Sequence, residues 1–497
     1  MTVAPETALL PEVESFLAQG AHKAFVGGQL VGSSTGETFE TRDPGSGAKL
    51  ADVHNMQADD VDRAVDAAAR AFTESSWATM PDGERAGYLH RLADAVAQRK
   101  PIIAQLEALD CGKVLAQAEE DVALFVEIMR YYADLVQHVQ RRTVLGIKSL
   151  EAWTVRQPWG PCAFIIPWNF PFVIAAFDTA PALAAGNTVV VKPAEDTPLS
   201  TLYVAALTRE IGFPDGVFNV VTGYGEVTGA ALAANANIKH LAFTGSPEVG
   251  REVASVCGRN LVPVKLELGG KGAAVIFDDV DVADTAEKLA TTVTFHTGQV
   301  CSNASRWLIH ENIYDQLVGE CVDRLKQIET GYQLDPASQM GPVVSEKQLN
   351  RVLGYLEKGQ QQGAKLVLGG GKAVVPGRDG HYVKPALLAG TLDNVAAREE
   401  IFGPVAYLAP FTSESQAIDM ANATDYGLMN SVWTQDLGRA RRVAESMHAG
   451  NSNINGHFIG GMGLPSSGIN KSGMGGGVNS VDTLCDYWRT LAIGRSL

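Results

Sequence analysis

The chain has 497 residues, of which 46% are hydrophobic and 19% charged, and its formal net charge is −16. This composition excludes whole-chain disorder and suits a soluble globular protein of two or three domains with large cores. No run of Lys or Arg exceeds two residues, so the sequence also excludes an electrostatic surface for nucleic acid or anionic membranes. A small molecule or another protein is the expected partner.

The cysteines and the N-terminus indicate the compartment. The six cysteines are scattered, with no C-x-x-C motif and no zinc-type spacing, so we expect reduced thiols and no metal site. The N-terminus lacks the basic start and apolar core of a signal peptide, and no apolar run approaches the ~20 residues of a membrane-spanning helix. We therefore expect a cytoplasmic protein.

The first elements predicted along the chain are a strand and hairpin at residues 24–44, where β-forming residues alternate with Gly and Ser turns. A helix is predicted at residues 59–72, because Val61, Val65 and Phe72 fall on one helical face behind candidate capping aspartates. These elements precede the main α/β region.

From about Trp153 the chain alternates short β-branched or aromatic runs with helical stretches. The strands of this series are CAFIIPW, NTVVVKPA, GVFNVVTG and HLAFTGS, with STLYVAALTREI as a helix. A second series begins near Lys265, with strands KGAAVIF, SRWLIH, AKLVLGG and PVAYLAPF and the helix IYDQLVGECVDRLKQI. Strands alternating with helices predict parallel sheets covered on both faces, and hence two consecutive α/β domains.

Two glycine-containing turns in the first series are candidate nucleotide-binding elements. Gly223, Gly225 and Gly229 form a G-x-G-x-x-x-G that is one residue longer than the usual fingerprint, and a plain turn explains it equally well. In FTGSPEVG, Gly245 permits a tight turn and Ser246 can cap a helix, which leaves N–H groups free for a phosphate. An ordinary βα turn is the alternative for this segment.

Lys192 and Glu195 follow a buried strand and could hydrogen-bond ribose hydroxyls, because ligands of doubly wound sheets lie beyond the carboxyl ends of the strands. A carboxylate at this place would repel a 2′-phosphate and so favours NAD over NADP. A solvated surface pair is the alternative interpretation.

Three side chains are candidates for chemistry. Cys301 lies in HTGQVCSN, which lacks the apolar periodicity of a core helix, so it is a candidate nucleophile, although a buried structural thiol fits as well. Glu267 ends an apolar strand before a Gly-Gly turn and could be a general base, or it could face water. Asn169, among aromatics and prolines, could donate to an oxyanion, or simply stabilise a turn.

Six motifs occur in one order: PWNFP, VKPAED, FTGSPEVG, LELGGK, GQVCSN and EEIFGPV. From about Phe25 to the C-terminal segment, the sequence therefore resembles the NAD(P)-dependent aldehyde dehydrogenase superfamily. The resemblance implies an α/β fold and a homotetramer or homodimer. The implied parts are a Rossmann-type NAD-binding domain (1–132 and 154–264), an α/β catalytic domain (265–477) and a small β oligomerisation flap (133–153 and 478–497).

The resemblance also implies a reaction. Cys301 would attack the aldehyde carbon to form a thiohemiacetal, and the Asn169 amide and the Cys301 backbone N–H would form the oxyanion hole. After hydride transfer to NAD, Glu267 would activate the water that hydrolyses the thioester to the carboxylic acid.

Further positions of the family pattern imply the binding residues. Lys192 and Glu195 would hold the adenosine ribose, and Glu400 with Phe402 would position the nicotinamide ribose and ring. The implied cofactor residues are Ile165, Trp168, Lys192, Glu195, Gly225, Phe243, Gly245, Ser246, Leu268, Glu400 and Phe402. The implied substrate tunnel is lined by Phe170, Val173, Ile174, Phe177 and Phe458, with Phe125 on the preceding helix.

The chain departs from the family pattern at several places. Asp178 stands where many relatives have Lys, which puts a proton-relay role there in doubt, and Gly272 stands where Ser or Asn is usual. The segment PSSGINKSGMGGG replaces the common PFGGxKxSGxGRE. These changes lie near the substrate mouth or subunit contacts, so they affect the expected specificity more than the reaction type.

The expected substrate is an arylalkyl aldehyde such as phenylacetaldehyde, or another medium-chain apolar aldehyde. The implied tunnel wall is aromatic and, Asp178 aside, lacks a carboxylate cluster for a cationic aldehyde, and the NGHF loop looks most like that of bacterial phenylacetaldehyde dehydrogenases. The alternatives are aliphatic, amino or betaine aldehydes, a CoA-acylating enzyme, a catalytically silent homologue and a cofactor-free cysteine hydrolase. Glu267 argues against CoA acylation, and the nucleotide motifs argue against the hydrolase.

Overall fold

The computed structural model describes residues 7–497, so residues 1–6 of the predicted NAD-binding domain lie outside the described part of the chain. The chain begins with short hairpins and long helices. These elements are α1 (Pro11–Leu17), β1 (Ala24–Val26), β2 (Gln29–Val31), β3 (Thr38–Arg42), β4 (Lys49–His54), α2 (Ala58–Glu74), α3 (Asp82–Gln98), α4 (Lys100–Cys111) and α5 (Leu115–His138). The hairpin and helix predicted here are confirmed.

The middle of the chain alternates strands with helices, as predicted. Its elements are β5 (Arg142–Leu145), β6 (Leu150–Pro158), β7 (Pro161–Ile165), α6 (Pro171–Ala185), β8 (Thr188–Lys192), α7 (Leu199–Glu210), β9 (Phe218–Val220), α8 (Ala230–Ala234), β10 (His240–Thr244), α9 (Pro247–Arg259) and β11 (Val264–Glu267).

A second alternating series follows and ends in a long C-terminal strand. Its elements are β12 (Ala273–Ile276), α10 (Val282–Thr294), β13 (Arg306–His310), α11 (Tyr314–Lys326), α12 (Glu346–Gln361), β14 (Lys365–Leu368), β15 (Ala386–Ala389), α13 (Val395–Arg398), β16 (Val405–Phe411), α14 (Glu414–Asn422), β17 (Met429–Trp433), α15 (Leu437–Ser446), β18 (Asn451–Ile454), β19 (Gly473–Met474), α16 (Val481–Asp486) and β20 (Trp488–Ser496).

The first large sheet has the strand order β19–β11–β10–β7–β8–β9–β1–β2, and its strands β11, β10, β7, β8 and β9 run parallel. Both faces of the sheet are covered. In β8, Val190 packs in one apolar cluster with Val61 of α2, whereas Val189 and Val191 pack in another with Leu199 of α7. This alternation explains why the three central residues of the strand, Val189 to Val191, are all apolar.

The second large sheet has the order β14–β15–β16–β13–β12–β17–β18. All neighbours in this order are parallel except β14, which pairs antiparallel with β15 at the edge. Residues 299–305, called here the Cys301 segment, follow α10 and a 3₁₀ turn at Phe295–Gly298 and lead into β13. The segment therefore enters the second sheet at a central strand.

The third sheet is antiparallel, with the order β20–β6–β5. Several apolar side chains on or beside it stay exposed, including Val144 at 77% and Leu497 at 80%. The others are Ile147, Leu150 and Leu491. An exposed apolar group of this kind is typical of a surface that contacts another protein.

The predicted domain limits cut through elements or sheets at several places, since β6 crosses the limit at residue 153 and β19, within the predicted catalytic domain, pairs with β11 of the first sheet. Lys265 lies inside β11, which pairs with β10, so the first sheet continues beyond the predicted limit at residue 264. The predicted flap start at residue 133 falls within α5, because Ala133 and Val136 continue the buried face of that helix. Backbone pairing and helical burial, rather than sequence texture, set these boundaries.

Among residues 7–497, no helix is both long and apolar enough to cross a membrane. The His, Cys, Asp and Glu side chains of the same residues form no group of three or more that could hold a metal ion. The six cysteines are free thiols, and Cys301 and Cys485 are partly exposed, whereas the other four are buried.

Candidate active site

A cavity of about 520 Å³ lies beside Cys301 and Glu267, which both line it. The predicted tunnel residues Phe170, Val173, Ile174, Phe177 and Phe458 all line the same cavity. Phe125, in contrast, is buried in the core, where its ring stacks on Phe172 at a centroid distance of 4.4 Å. The sequence-based expectation for Phe125 is therefore wrong.

Aromatic side chains form one side of the cavity. The Phe170 and Phe295 rings stack at 6.3 Å, and the Phe295 and Phe458 rings lie 5.8 Å apart. Lys113 supports this group from behind, because its Nζ lies 3.9 Å from the centre of the Phe170 ring and forms an ion pair with Asp121. A cation held over a ring face stabilises the position of that ring.

Carboxylates occupy another side of the cavity, on α5. Glu120, Leu124 and Glu127 line the cavity, and both glutamates are exposed and form no ion pair within residues 7–497. Residues at this spacing share one helical face. The sequence-based expectation that the tunnel wall lacks a carboxylate cluster, Asp178 aside, is therefore wrong for the solvent-exposed part of the cavity.

The Cys301 segment is held by glycines that allow close backbone approach. A Cβ on Gly270 would lie 2.2 Å from the Cys301 carbonyl oxygen, and a Cβ on Gly298 would lie 2.1 Å from the Gly403 carbonyl oxygen. The preceding residues His296 and Thr297 have φ of 45° and 55°, in the left-handed region. The nucleophile candidate therefore lies on a constrained, irregular chain rather than in a helix.

Asn169 contacts the same segment directly. Its side-chain Nδ2 donates to the Gln299 carbonyl oxygen at 2.9 Å, and its side chain is buried. An amide nitrogen carries two hydrogens, so one N–H remains for another acceptor. The position can therefore both hold the Cys301 segment and donate a hydrogen bond.

The Cys301 thiol is neutral at physiological pH in this structure. Burial, followed by the charges of Glu400 and Glu267, raises the pKa of the thiol to about 12, while the backbone N–H groups of Cys301 and Ser302 act in the opposite direction. Because the thiolate is the nucleophilic form, attack requires a group that accepts the thiol proton.

Glu267 is a candidate acceptor for that proton. Burial, with a smaller contribution from Asp178, raises the pKa of Glu267 to about 8, while Lys265 acts to lower it. Its Oε1 has no hydrogen-bond partner among the described residues. A carboxyl group with a pKa near the working pH can both accept and return a proton.

Lys265 and Asp178 form a buried ion pair next to Glu267. The Lys265 Nζ lies 2.9 Å from Asp178 Oδ1, and Lys265 precedes Glu267 by two residues on β11, so both side chains lie on the same face. Asp178 and Glu267 line the same cavity. The charges nearest to the candidate base are therefore those of Lys265 and Asp178.

The predicted ribose residues meet at the carboxyl edge of the first sheet. Lys192 ends β8 and its Nζ lies 2.9 Å from Glu195 Oε2. Burial acts to raise the pKa of Glu195, but the charge and hydrogen bond of Lys192 outweigh it and hold the pKa below its usual value. Ile165 ends β7 at the same edge, and a Cβ on Gly225 would meet no atom within 4 Å.

The turn after β10 begins α9. Ser246 accepts a hydrogen bond from the Val249 N–H at 3.3 Å and caps the helix, as predicted. A Cβ on Gly245 would lie 2.5 Å from the Phe243 ring, so a larger residue there would displace that ring, and Leu268 packs against Gly250 of α9. Further N–H groups of the first helical turn stay free for an anion.

Glu400 and Phe402 approach the site from the second domain. The Gly270 N–H donates to Glu400 Oε1 at 2.8 Å, and burial raises the pKa of Glu400 to about 7. A Cβ on Gly269 would lie 2.3 Å from Glu400 Oε2. Phe402 has a φ of 62°, and its ring packs edge-on against Trp168 at 5.3 Å.

The structure thus brings the predicted residues into two adjoining groups, one around the cavity and one along the sheet edge. Sequence reasoning missed Phe295, Lys265, Glu120 and Glu127, and also His457, which contacts the Cys301 segment. The helical spacing of Glu120 and Glu127 predicts that both side chains lie on the same face of a helix. The sequence held no signal that this face borders the cavity.

Comparison with known proteins identifies the family of the chain. Residues 30–493 match the model of the aldehyde dehydrogenase family, so the chain belongs to that family. Its fold class, predicted from the sequence, is confirmed, and it is an oxidoreductase that acts on aldehydes.

Relatives resemble the chain over nearly its whole length. Human retinal dehydrogenase 2 is 38% identical over 471 residues, which cover 94% of this chain and 90% of the relative. An aldehyde dehydrogenase from Bacillus cereus, solved as an NAD+ complex, has a TM-score of 0.96 and 37% identity, over 99% of this chain and 100% of that one. Betaine aldehyde dehydrogenase from Staphylococcus aureus, in complex with NAD+, has a TM-score of 0.94 and 31% identity, over 98% and 97%.

Proposed function

We propose that the protein oxidises an apolar, arylalkyl aldehyde such as phenylacetaldehyde to the carboxylic acid with NAD, through a thiohemiacetal and a thioester on Cys301. The observation that carries this proposal is the shared cavity, in which Cys301 and Glu267 lie together with an aromatic wall. The finding that relatives of the same family were solved with NAD+ supports the choice of cofactor.

The residues of the sheet edge fit NAD. The Lys192–Glu195 pair offers a cation and a carboxylate for ribose hydroxyls, and the space around Gly225 is open. The capped N-terminus of α9 offers N–H groups to a pyrophosphate. When bound, NAD accepts the hydride from the carbon that was the aldehyde carbonyl. Glu400 and Phe402 are the residues that hold the nicotinamide end.

The first chemical step uses the groups around Cys301. The Cys301 thiol gives its proton to the Glu267 carboxylate, its sulfur bonds to the aldehyde carbon, and the carbonyl π electrons move to the oxygen. The free N–H of Asn169 and the Cys301 backbone N–H donate to that oxygen. Preorganised donors at a developing oxyanion are a large source of catalysis.

The second step hydrolyses the thioester. Once its first proton has been released, Glu267 accepts a proton from water, the water oxygen attacks the acyl carbon, and the carbon–sulfur bond breaks. The acid leaves and the Cys301 sulfur regains a proton. A buried carboxylate with a pKa of about 8 is a stronger base than an exposed one, which suits this role.

The aromatic group Phe170, Phe295 and Phe458 favours an arylalkyl substrate, because rings gain additional stabilisation from offset or edge contacts. A second candidate substrate is an amino or betaine aldehyde, favoured by the exposed carboxylates Glu120 and Glu127. Both carboxylates lie on the solvent side, whereas the rings adjoin the Cys301 segment, so the apolar aldehyde is preferred.

The test is a kcat/KM panel with NAD and phenylacetaldehyde, hexanal and betaine aldehyde. Phenylacetaldehyde is expected to give the highest value, and Phe295→Leu should lower it more for phenylacetaldehyde than for hexanal. The double variant Glu120→Gln/Glu127→Gln should leave phenylacetaldehyde unchanged. A highest value for betaine aldehyde that falls in the double variant would replace the first candidate with the second.

We propose further that the chain forms a homotetramer or homodimer through the third sheet. The exposed apolar side chains there, such as Val144 and Leu491, support this assignment. Sedimentation of Leu491→Asp should show a smaller species than the wild-type chain, and an unchanged species would refute it. The predicted domain functions and the cytoplasmic location stay predictions.

A further inference from the structure

His457 contacts the Cys301 segment through a hydrogen-bond chain that the reaction described above does not use. Its Nε2 lies 2.6 Å from the Ser302 carbonyl oxygen, and its Nδ1 lies 3.0 Å from Ser431 Oγ. The Ser431 Oγ in turn accepts from the Trp433 indole N–H at 3.0 Å. Ser431 and Trp433 are buried in β17, so the chain is anchored in the core of the second sheet.

The donors and acceptors in this hydrogen-bond chain fix the direction in which each hydrogen bond is donated. An indole N–H can only donate, so Ser431 Oγ accepts from Trp433 and directs its own hydrogen to His457 Nδ1. The carbonyl of Ser302 can only accept, so His457 Nε2 carries the ring proton. Burial lowers the pKa of His457 to about 4, which keeps the ring neutral. One tautomer therefore satisfies every contact.

Ser302, the residue after Cys301, makes contacts through both its backbone N–H and its carbonyl oxygen. The Ser302 backbone N–H interacts with the Cys301 thiol, and the Ser302 carbonyl accepts from His457. The Ser302 carbonyl and the Ser302 N–H lie in adjacent peptide planes joined at the Ser302 Cα, so a carbonyl held by His457 limits the φ/ψ rotation through which the plane that carries the N–H could turn. The residue after His457 is Phe458, which has a φ of 54° and lines the cavity.

We propose that His457 is a positioning residue for the Cys301 segment: by donating to the Ser302 carbonyl, it keeps the Ser302 and Cys301 N–H groups directed at the reacting sulfur and oxygen. The inference rests on the proposed function, in which Cys301 is the nucleophile. Ser431 belongs to the same unit, because its hydroxyl selects the tautomer that can donate. Without it, the alternative tautomer presents a lone pair to the Ser302 carbonyl.

The test compares His457→Leu, which removes the donor, with His457→Gln, which keeps an N–H, and Ser431→Ala. His448→Leu, at an exposed histidine, is the matched control. The readouts are the rate of the first NADH burst, the rate at which iodoacetamide alkylates Cys301 in the full-length protein, the Kd for NAD and the Tm. Mass spectrometry of the Cys301 peptide makes the alkylation rate independent of aldehyde oxidation.

His457→Leu is expected to lower the burst and alkylation rates by about tenfold and to leave the Kd for NAD within about twofold, as expected when one positioned hydrogen bond is lost. His457→Gln should recover part of both rates. Ser431→Ala should act in the same direction, and combining it with His457→Leu should add nothing, because the two belong to one chain. His448→Leu should behave like the wild-type protein.

Wild-type burst and alkylation rates in a folded His457→Leu protein would overturn the proposal. Independent, additive effects of Ser431→Ala and His457→Leu would overturn the assignment of Ser431. If His457→Leu fails to fold, Ser431→Ala decides, since it leaves His457 in place but removes the hydroxyl that selects the donating tautomer: a wild-type Tm with reduced rates supports positioning, and wild-type rates refute it. Failure of the proposed function is distinguishable, because it would show as full aldehyde oxidation by Cys301→Ala.

Discussion

Replacing Asp178 by Asn should move the pH dependence of thioester hydrolysis toward lower pH. Burial and the Asp178 carboxylate both raise the pKa of Glu267, which is about 8 in the wild-type protein. Asn has nearly the same shape and its Oδ1 can still accept from Lys265, so the substitution removes charge while it keeps the hydrogen bond. The pKa of Glu267 should fall, and more of the base should be ionised at neutral pH.

The magnitude follows from the ionised fraction. With a pKa of about 8, Glu267 is about 9% ionised at pH 7 and about 91% at pH 9, so the hydrolysis rate should rise about tenfold over this range. A fall of one pKa unit in Asp178→Asn would raise the ionised fraction at pH 7 to about 50%, which is about a fivefold faster rate.

The assay is stopped-flow detection of NADH, in which the first burst reports thioester formation and the later steady rate reports hydrolysis where it is slower. Glu267→Gln provides the control, because it removes the proton acceptor of both chemical steps and should slow the burst and the later turnover, with no pH dependence near 8 in what remains. A wild-type hydrolysis rate that stays flat from pH 7 to 9, or a midpoint unmoved by Asp178→Asn, would refute the reasoning.

The raised pKa of Glu267 also predicts that the stability of the folded protein depends on pH. The folded state holds the Glu267 proton up to about pH 8, whereas the unfolded chain releases it near its ordinary pKa of 4.5. The stability associated with this proton is present below pH 4.5 and is lost as the pH rises through about 8. Glu267→Gln should therefore gain Tm relative to the wild-type protein as the pH is raised from 5 to 9, and an equal Tm difference throughout would contradict this.

Three further outcomes are expected. Cys301→Ala should abolish NADH formation and leave the Kd for NAD nearly unchanged. Cys485→Ala, at the other partly exposed thiol, is the control and should keep full activity. Residual turnover in Cys301→Ala would exclude the nucleophile role. Glu195→Gln should raise kcat/KM for NADP relative to NAD, and an unchanged ratio would argue against 2′-phosphate repulsion. Gly270→Ala places a Cβ 2.2 Å from the Cys301 carbonyl oxygen and should lower kcat by at least about tenfold; normal kcat would contradict the close approach.

The strands could be predicted because each depends on local sequence, whereas the roles of Asn169, Glu267 and Cys301 are implied by the family resemblance and stay predictions. The apolar run Val189–Val191 before Lys192 is continuous, and the motifs around Asn169 and Cys301 are short. The limit at residue 264 could not be predicted, since the local sequence of a strand does not show which sheet the strand joins. Only pairing of β11 with β10 assigns it to the first sheet.

The tunnel mouth was predicted less well for a geometric reason. Successive residues of a helix are rotated by about 100°, so Phe125 faces the core while Glu120 and Leu124 face the cavity. Helical periodicity alone does not show how α5 is oriented relative to Cys301, so the expectation for Phe125 placed an aromatic residue on a wall that carries carboxylates. His457 was missed because its partners, Ser302 and Ser431, are distant in sequence.

The Gly269–Gly270 step has a consequence for altering this enzyme. Gly269 lies against the Glu400 carboxylate, and Gly270 donates to the same carboxylate and approaches the Cys301 carbonyl oxygen. A substitution at either of these adjacent glycines would therefore affect the cofactor contact of Glu400 and the geometry of the nucleophile together. The α5 positions Glu120, Leu124 and Glu127 have no such link, so a directed-evolution library for new aldehydes can vary them freely while the machinery stays constant.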